Sequence, residues 1–261
     1  MLKLNKDSVV GTFVIIISFC LVCSVLVSSA VVALKPFQEA AVANDRQVSI
    51  LRVSGYPVEG SVADTYAKHI EARLLDVKTG LFVEERQAEA DSYNFASLAK
   101  KPETSEAIPA EDDFGGIRTR AQFMPVYLAK NADGTVERYI LPFYGQALWS
   151  TVYGYLAIST DGNTVKAITF YSHGETPGLG GEIDNPLWQA KWVDKKLYRD
   201  DKSYALNITK TPDHEGAGKD YDIDSLSGAT LTGRGVDNSV KYWMSVAYRP
   251  FLEKLQQGEI K

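Results

Sequence analysis

The sequence predicts an α+β protein: a single N-terminal transmembrane helix followed by a domain of antiparallel hairpins flanked by helices. Three observations carry this. Residues 9–34 contain no charged side chain and are dominated by Val, Ile, Leu, Phe, Ala and Ser. Beyond Arg120 the apolar residues recur with period two around Asp-Gly turns, and near the C-terminus Val236, Val240, Trp243, Ala247 and Phe251 recur at helical spacing.

The uncharged run exceeds the roughly 20 residues that a helix needs to cross a bilayer. It is also longer than the apolar region of a cleaved signal peptide, about 7 to 15 residues, although Ser28-Ser29-Ala30 offers small residues for cleavage. Lys3 and Lys6 precede it closely, while Lys35, Arg46 and Arg52 follow less tightly. That bias predicts an inside N-terminus, with the remaining chain across the membrane. The domain plan is therefore residues 1–8 inside, 9–34 in the membrane, 35–148 a membrane-proximal region of helices, loop and a first hairpin, and 149–261 a ligand-binding region with the C-terminal helix.

Both cysteines, Cys20 and Cys23, fall within the span as a C-x-x-C. One helical turn places both thiols on a common face, the spacing of a redox pair or half a metal site; the alternative is two small apolar residues in lipid. A metal there would need further ligands from another protein of the same assembly. The rest of the chain has no cysteine, so a buried core must stabilise it. With 45% hydrophobic and 23% charged residues over 261 positions, the composition supports such a core; the net charge of −5, without a basic stripe, argues against nucleic acid.

After Pro36, residues 37–51 continue or restart the helix, and Gly55-Tyr56-Pro57 ends it. Ser61 reads as the cap of a second helix with Tyr66, Ile70 and Leu74 on one side. Residues 84–113 read as a long surface segment, partly ordered against the domain. Residues 124–129 and 135–141 flank Asp133-Gly134, and 151–159 and 164–171 flank Asp161-Gly162, giving two hairpins. Asn185-Pro186 starts a short helix carrying Trp188 and Trp192, read as core residues. Residues 204–209 read as a strand and 211–218 as a loop. No 20- to 50-residue repeat is visible.

Two stretches carry chemistry. His173-Gly174-Glu175-Thr176-Pro177-Gly178-Leu179-Gly180-Gly181 exposes backbone N–H groups to a phosphate or a flat ring, or forms a plain tight turn. Asp224-Ser225-Leu226-Ser227-Gly228-Ala229-Thr230 sets hydroxyls at a helix entrance, where Ser227 or Thr230 either caps the helix or meets an anion. Neither stretch matches G-x-x-x-x-G-K-[ST] or G-x-G-x-x-G. His69, His173 and His214 lack zinc-ligand spacing, no nucleophile elbow is present, and Asp222 and Asp224 read as solvated turn residues, so a hydrolase is disfavoured.

Taken together, residues 174–180 and Asp224-x-x-Ser227-Gly228-Ala229-Thr230 resemble the FMN-binding domain of membrane flavoproteins, over about residues 149–243. Asp45-Arg46-Gln47-x-x-Ile50-Leu51, the segment 70–80 and Leu141-Pro142-x-x-Gly145-x-x-Leu148-Trp149-Ser150-Thr151 extend the likeness. Along nearly its whole length the chain resembles the C subunits of the Na+-translocating NADH:ubiquinone reductases of bacterial inner membranes. The G subunit of the ferredoxin:NAD oxidoreductase complex shares the flavin motifs but usually lacks residues 37–145.

This resemblance implies a flavoprotein, held in the inner membrane with its flavin domain in the periplasm, that passes electrons between partner subunits of a sodium-pumping complex and has no independent turnover. It implies FMN joined by phosphoester to Thr230, installed from FAD by a flavin transferase with Mg2+. Glu175, Thr176, Pro177, Gly178, Leu179 and Gly180 then form the loop against the flavin. Ser227, Gly228, Ala229, Leu231 and Thr232 surround the attachment point, and Trp149 and His173 are further contacts. Alternatives from other classes are a membrane-anchored binding or scaffold protein and an independent flavin reductase, although no nicotinamide site is readable.

Overall fold

The computed structural model describes residues 8–58 and 60–260. Lys3 and Lys6, on which the orientation expectation leans, lie outside them, as does most of the 1–8 segment. The chain divides into two units, one ending at Asp45 and one beginning at Arg46.

In the first unit the helix that begins at Val9 holds apolar side chains exposed all round, among them Phe13, Phe19 and Leu26. A helix with apolar side chains on every face has no polar stripe to turn toward water. This element, α1 (Val9–Ser54), is the one helix among the described residues long and apolar enough to cross a membrane. It continues without restarting past Pro36, whose ring nitrogen has no hydrogen to donate.

The second unit is built on a sheet. After α2 (Val62–His69), capped by Ser61 through a 3.1 Å bond from the Asp64 N–H, come β1 (Ile70–Asp76) and β2 (Leu81–Phe82). Ile70 and Leu74, expected on a helix, lie on β1. A 3₁₀ segment (Glu84–Ser92), α3 (Phe95–Leu98), β3 (Ser105–Ala107) and β4 (Thr119–Ala121) follow, burying Ala90, Tyr93 and Phe95. This stretch is thus more ordered than its polar composition suggested. The expected hairpins form from β5 (Phe123–Lys130), β6 (Val136–Gln146), β7 (Thr151–Ser159) and β8 (Val165–Ser172). The six-stranded antiparallel sheet has the order β2-β1-β5-β6-β7-β8.

Alternation along the strands gives the sheet two buried faces. Tyr127, Ala129, Ile140, Tyr155 and Ala157 pack with Tyr66 and with Ile50, Leu51 and Val53 from the end of α1. The opposite face, with Val126, Leu128, Leu141, Phe143, Leu156 and Ile158, belongs to the larger core that the C-terminal helices complete. Before those helices lie α4 (Pro186–Gln189), a 3₁₀ turn (Ala190–Trp192), β9 (Asn207–Thr209) and β10 (Asp222–Asp224), the last two paired in parallel. Trp188 and Trp192 are core residues, as expected. Asp222 and Asp224, read as turn residues, belong to a strand, and the strand expected at 204–209 starts only at Asn207.

The last helix is broken. α5 (Thr230–Tyr242) runs into a π turn (Trp243–Ala247), and α6 (Arg249–Gln256) restarts with Pro250 in its first turn. Proline fits there because a first-turn N–H has no intrahelical acceptor. The Trp243 indole donates to the Tyr144 carbonyl at 2.7 Å and the Tyr248 hydroxyl to the Pro142 carbonyl at 2.8 Å, fixing α5 and α6 on β6.

Candidate functional site

The site gathers three segments distant in sequence. The first is the β6–β7 turn, closed by the Ala147 N–H donating to the Ser150 carbonyl at 2.9 Å. This tight reversal leaves the Trp149 side chain 69% exposed. An indole so placed lacks the burial that would justify it in a free-standing core.

The second segment leaves β8. The Ser150 hydroxyl accepts the Gly174 N–H at 2.6 Å, joining the glycine loop to the first turn. His173 accepts the Glu175 N–H on Nδ1 at 3.2 Å, so its Nε2 carries the hydrogen and donates to Asp184 at 2.8 Å. Both ring nitrogens are used within the loop, leaving the ring faces for any ligand contact. The Thr176 carbonyl accepts from Leu179 at 3.1 Å and Gly181 at 2.9 Å, curling the chain so that Thr176, Pro177, Gly178 and Leu179 are exposed. No atom of the described residues stands within 4 Å of where a Cβ on Gly178 would lie.

The third segment is the entrance to α5. Gly228 takes φ +74°, a conformation that side-chain-bearing residues rarely adopt, and the place of its missing Cβ is 3.6 Å from Leu179. Ala229 is the N-cap residue and makes no side-chain cap, so neither Ser227 nor Thr230 plays that part. The N–H groups of the first turn therefore remain available to an anion, with the helix dipole aligned in its favour. Thr230 is the first residue of the helix and half-buried; Ser227 and Leu231 are exposed.

Glu175 joins these segments. It is buried, and one carboxylate oxygen accepts the Trp149 N–H at 2.9 Å while the other accepts the Thr232 hydroxyl at 2.5 Å. Gly180 is a glycine because any Cβ would lie 2.5 Å from the Thr232 hydroxyl oxygen and 2.7 Å from Glu175. On the approach to the helix, the Asp224 carbonyl accepts the Trp188 indole N–H at 2.8 Å. Its carboxylate pairs with Lys191 at 3.1 Å and His214 at 3.4 Å. Desolvation raises the Asp224 pKa, but the bond from Lys191 and the charges of Lys191 and His214 prevail and hold it below the usual range.

These features fit FMN. A phosphate suits the uncapped helix end beside the Thr230 hydroxyl, and a flat ring suits the exposed apolar side chains of Trp149, Leu179 and Leu231. Sequence reasoning did not find the bonds made by the Ser150 hydroxyl, the Asp184 carboxylate and the Trp188 indole N–H, because they join segments distant in sequence or loop positions that no pattern marks. Cys20 and Cys23 are free, and no group of three or more His, Cys, Asp and Glu among the described residues is arranged to hold a metal.

Comparison with known proteins agrees with this geometry. Residues 148–245 match the family model of the FMN-binding domain. The chain is 45% identical to the C subunit of the Na(+)-translocating NADH-quinone reductase of Pasteurella multocida, over 97% of each chain. It is 42% identical to that of Vibrio alginolyticus, over 98% of each. The crystal structure of NqrC from Shewanella oneidensis superposes with a TM-score of 0.76 at 30% identity, covering 84% of this chain and 99% of the other. The corresponding protein from Parabacteroides distasonis gives 0.62 at 28%, covering 84% and 96%. With that identity sustained over almost the whole sequence, the chain belongs to the family of C subunits of the Na+-translocating NADH-quinone reductases.

Proposed function

We propose that this chain is the electron-relay subunit of a sodium-pumping NADH:quinone reductase, with FMN held covalently on Thr230. One observation carries the attachment: the Thr230 hydroxyl opens an uncapped helix beside a glycine loop and three exposed apolar side chains. FMN, when bound, supplies the redox chemistry; the protein supplies attachment and orientation. In attachment by a flavin transferase, the Thr230 oxygen forms a bond to the FMN-side phosphorus of FAD with loss of the hydroxyl proton. The anhydride bond of FAD would break in the same step and AMP would leave. The remaining negative charge lies where the α5 dipole contributes about 0.3 to 1 kcal/mol.

The tether explains how a cofactor facing an aqueous compartment is retained without deep burial. Helix residues 9–34 anchor the chain in the inner membrane, the N-terminus is cytoplasmic, and the flavin domain is periplasmic, next to the integral-membrane and flavoprotein subunits that exchange electrons with it. Intact mass of the chain co-expressed with its transferase tests the assignment: one FMN less one water is expected. A denatured gel band should fluoresce, lose its fluorescence with Thr230→Ala and keep part of it with Thr230→Ser. An unmodified mass from a transferase-competent host refutes covalent attachment.

A further inference from the structure

We propose that Glu175 is a positioning residue, which through Thr232 sets the α5 entrance against the glycine loop in the geometry that accepts the flavin. The inference rests on attachment at Thr230 and assigns Glu175 a role distinct from direct contact with the ring.

Glu175 and Thr232 are both buried, with exposures of 5% and 1%. An ionised carboxylate only accepts hydrogen bonds, and here each oxygen has one donor, the Trp149 N–H and the Thr232 hydroxyl. These donors belong to different segments, so the carboxylate fixes the β6–β7 turn relative to the first turn of α5. Gly180 closes the gap between them, leaving no room for even a methyl group. Thr232 is two residues beyond Thr230. Successive helical residues are about 100° apart, so a hydroxyl at Thr232 locked inward fixes the azimuth at which Thr230 emerges from the helix. The same carboxylate holds the backbone of Trp149, and Leu179 lies beside Gly228 at the helix entrance. The hydroxyl of Thr232 is therefore withdrawn from attachment and that of Thr230 is presented for it.

The test follows FMN incorporation into the unloaded full-length chain in detergent, with transferase, FAD and Mg2+, by intact mass. Thr232→Val keeps shape and removes the donor; Glu175→Gln keeps size but removes the charge and leaves a single acceptor oxygen for the Trp149 N–H and the Thr232 hydroxyl. Each should load about tenfold more slowly, the scale of one lost hydrogen bond to a charged group. Thr232→Ser should load within about twofold of the wild type because it keeps the hydroxyl. The double variant should be slowed by clearly less than the product of the two single effects, since both changes remove the charge-assisted bond between Glu175 and Thr232. In the loaded fraction, iodide should quench the flavin of Thr232→Val more strongly than that of the wild type. Thermal melts of the unloaded chains accompany the rates. Normal loading of both single variants, additive effects, or loading that falls only in proportion to the folded fraction overturns the proposal. A wild-type chain that takes no flavin would instead defeat attachment at Thr230, and this inference with it.

Discussion

The indole N–H of Trp188 donates to the backbone carbonyl of Asp224 at 2.8 Å, tying α4 to the strand that leads into the Thr230 entrance. Trp188 is buried and packs edge-on to Trp192, with ring centroids 5.6 Å apart. Trp188→Phe keeps an aromatic ring but withdraws the donor and leaves a void. A loss of about 2 kcal/mol is expected, combining an unmet carbonyl with a smaller side chain. Denaturant unfolding of the unloaded protein measures it. A change within about 0.3 kcal/mol of zero, the size of an ordinary surface substitution, would show that the bond does not hold the lead-in.

Gly180→Ala tests the close approach at the centre of the site. The new methyl would meet the Thr232 hydroxyl oxygen at 2.5 Å and Glu175 at 2.7 Å, both on buried side chains with little room to retreat. Overpacking of this kind costs about 1 to 3 kcal/mol. A lower melting temperature together with a smaller share of flavin-bearing chains is expected. Gly178→Ala meets no described atom within 4 Å, but the φ of +74° there makes it a strained change of a different kind. It should therefore destabilise by only about 1 kcal/mol without opening the Glu175 bonds.

The end of α1 belongs to the sheet domain. Ile50, Leu51 and Val53 are buried against Tyr66, Tyr127 and Tyr155, whereas the helix before Asp45 presents an exposed apolar surface. A chain beginning at Arg46 should be soluble and cooperatively folded. One beginning at Tyr56 uncovers those tyrosines and should aggregate or melt far lower. Circular dichroism melts and size-exclusion profiles of the two truncations distinguish them; equal stability would mean that the three residues contribute little.

What was legible in the sequence was what depends on short-range pattern. The β5–β6 and β7–β8 hairpins declared themselves by alternation and by Asp-Gly turns, and Ser61 and Asn185 cap helices as read. Ile70 and Leu74 misled because residues four apart share a face in both a helix and a strand. The C-terminal period was real, but the π turn at residues 243–247 preserved apolar contacts through a break that Pro250 alone signalled. Both glycine stretches were visible as motifs. The Glu175 bonds to Trp149 and Thr232 were not, because they depend on how the β6–β7 turn and α5 meet in three dimensions.

Asp237 gives a pH prediction. It lies on α5, accepts the Ile208 N–H at 2.9 Å, and burial pushes its pKa up from 3.8 to about 6, more than the Ile208 bond and Lys241 pull it down. Tyr204, whose buried hydroxyl has no hydrogen-bond partner among the described residues, senses the same carboxylate. The folded protein thus holds this proton more tightly than the unfolded chain. Its ionisation opposes folding: the penalty is absent below about pH 4, grows through the interval to pH 6, and is complete above about pH 7. The full shift corresponds to about 3 kcal/mol, and partial solvent access reduces it to roughly 1 to 2 kcal/mol. Asp237→Asn keeps an oxygen for Ile208 and removes the charge. Relative to wild type it should gain stability at pH 8 and gain none at pH 4, in denaturant melts at the two pH values. A pH-independent difference would show that the Asp237 carboxyl titrates alike in the folded and unfolded chains.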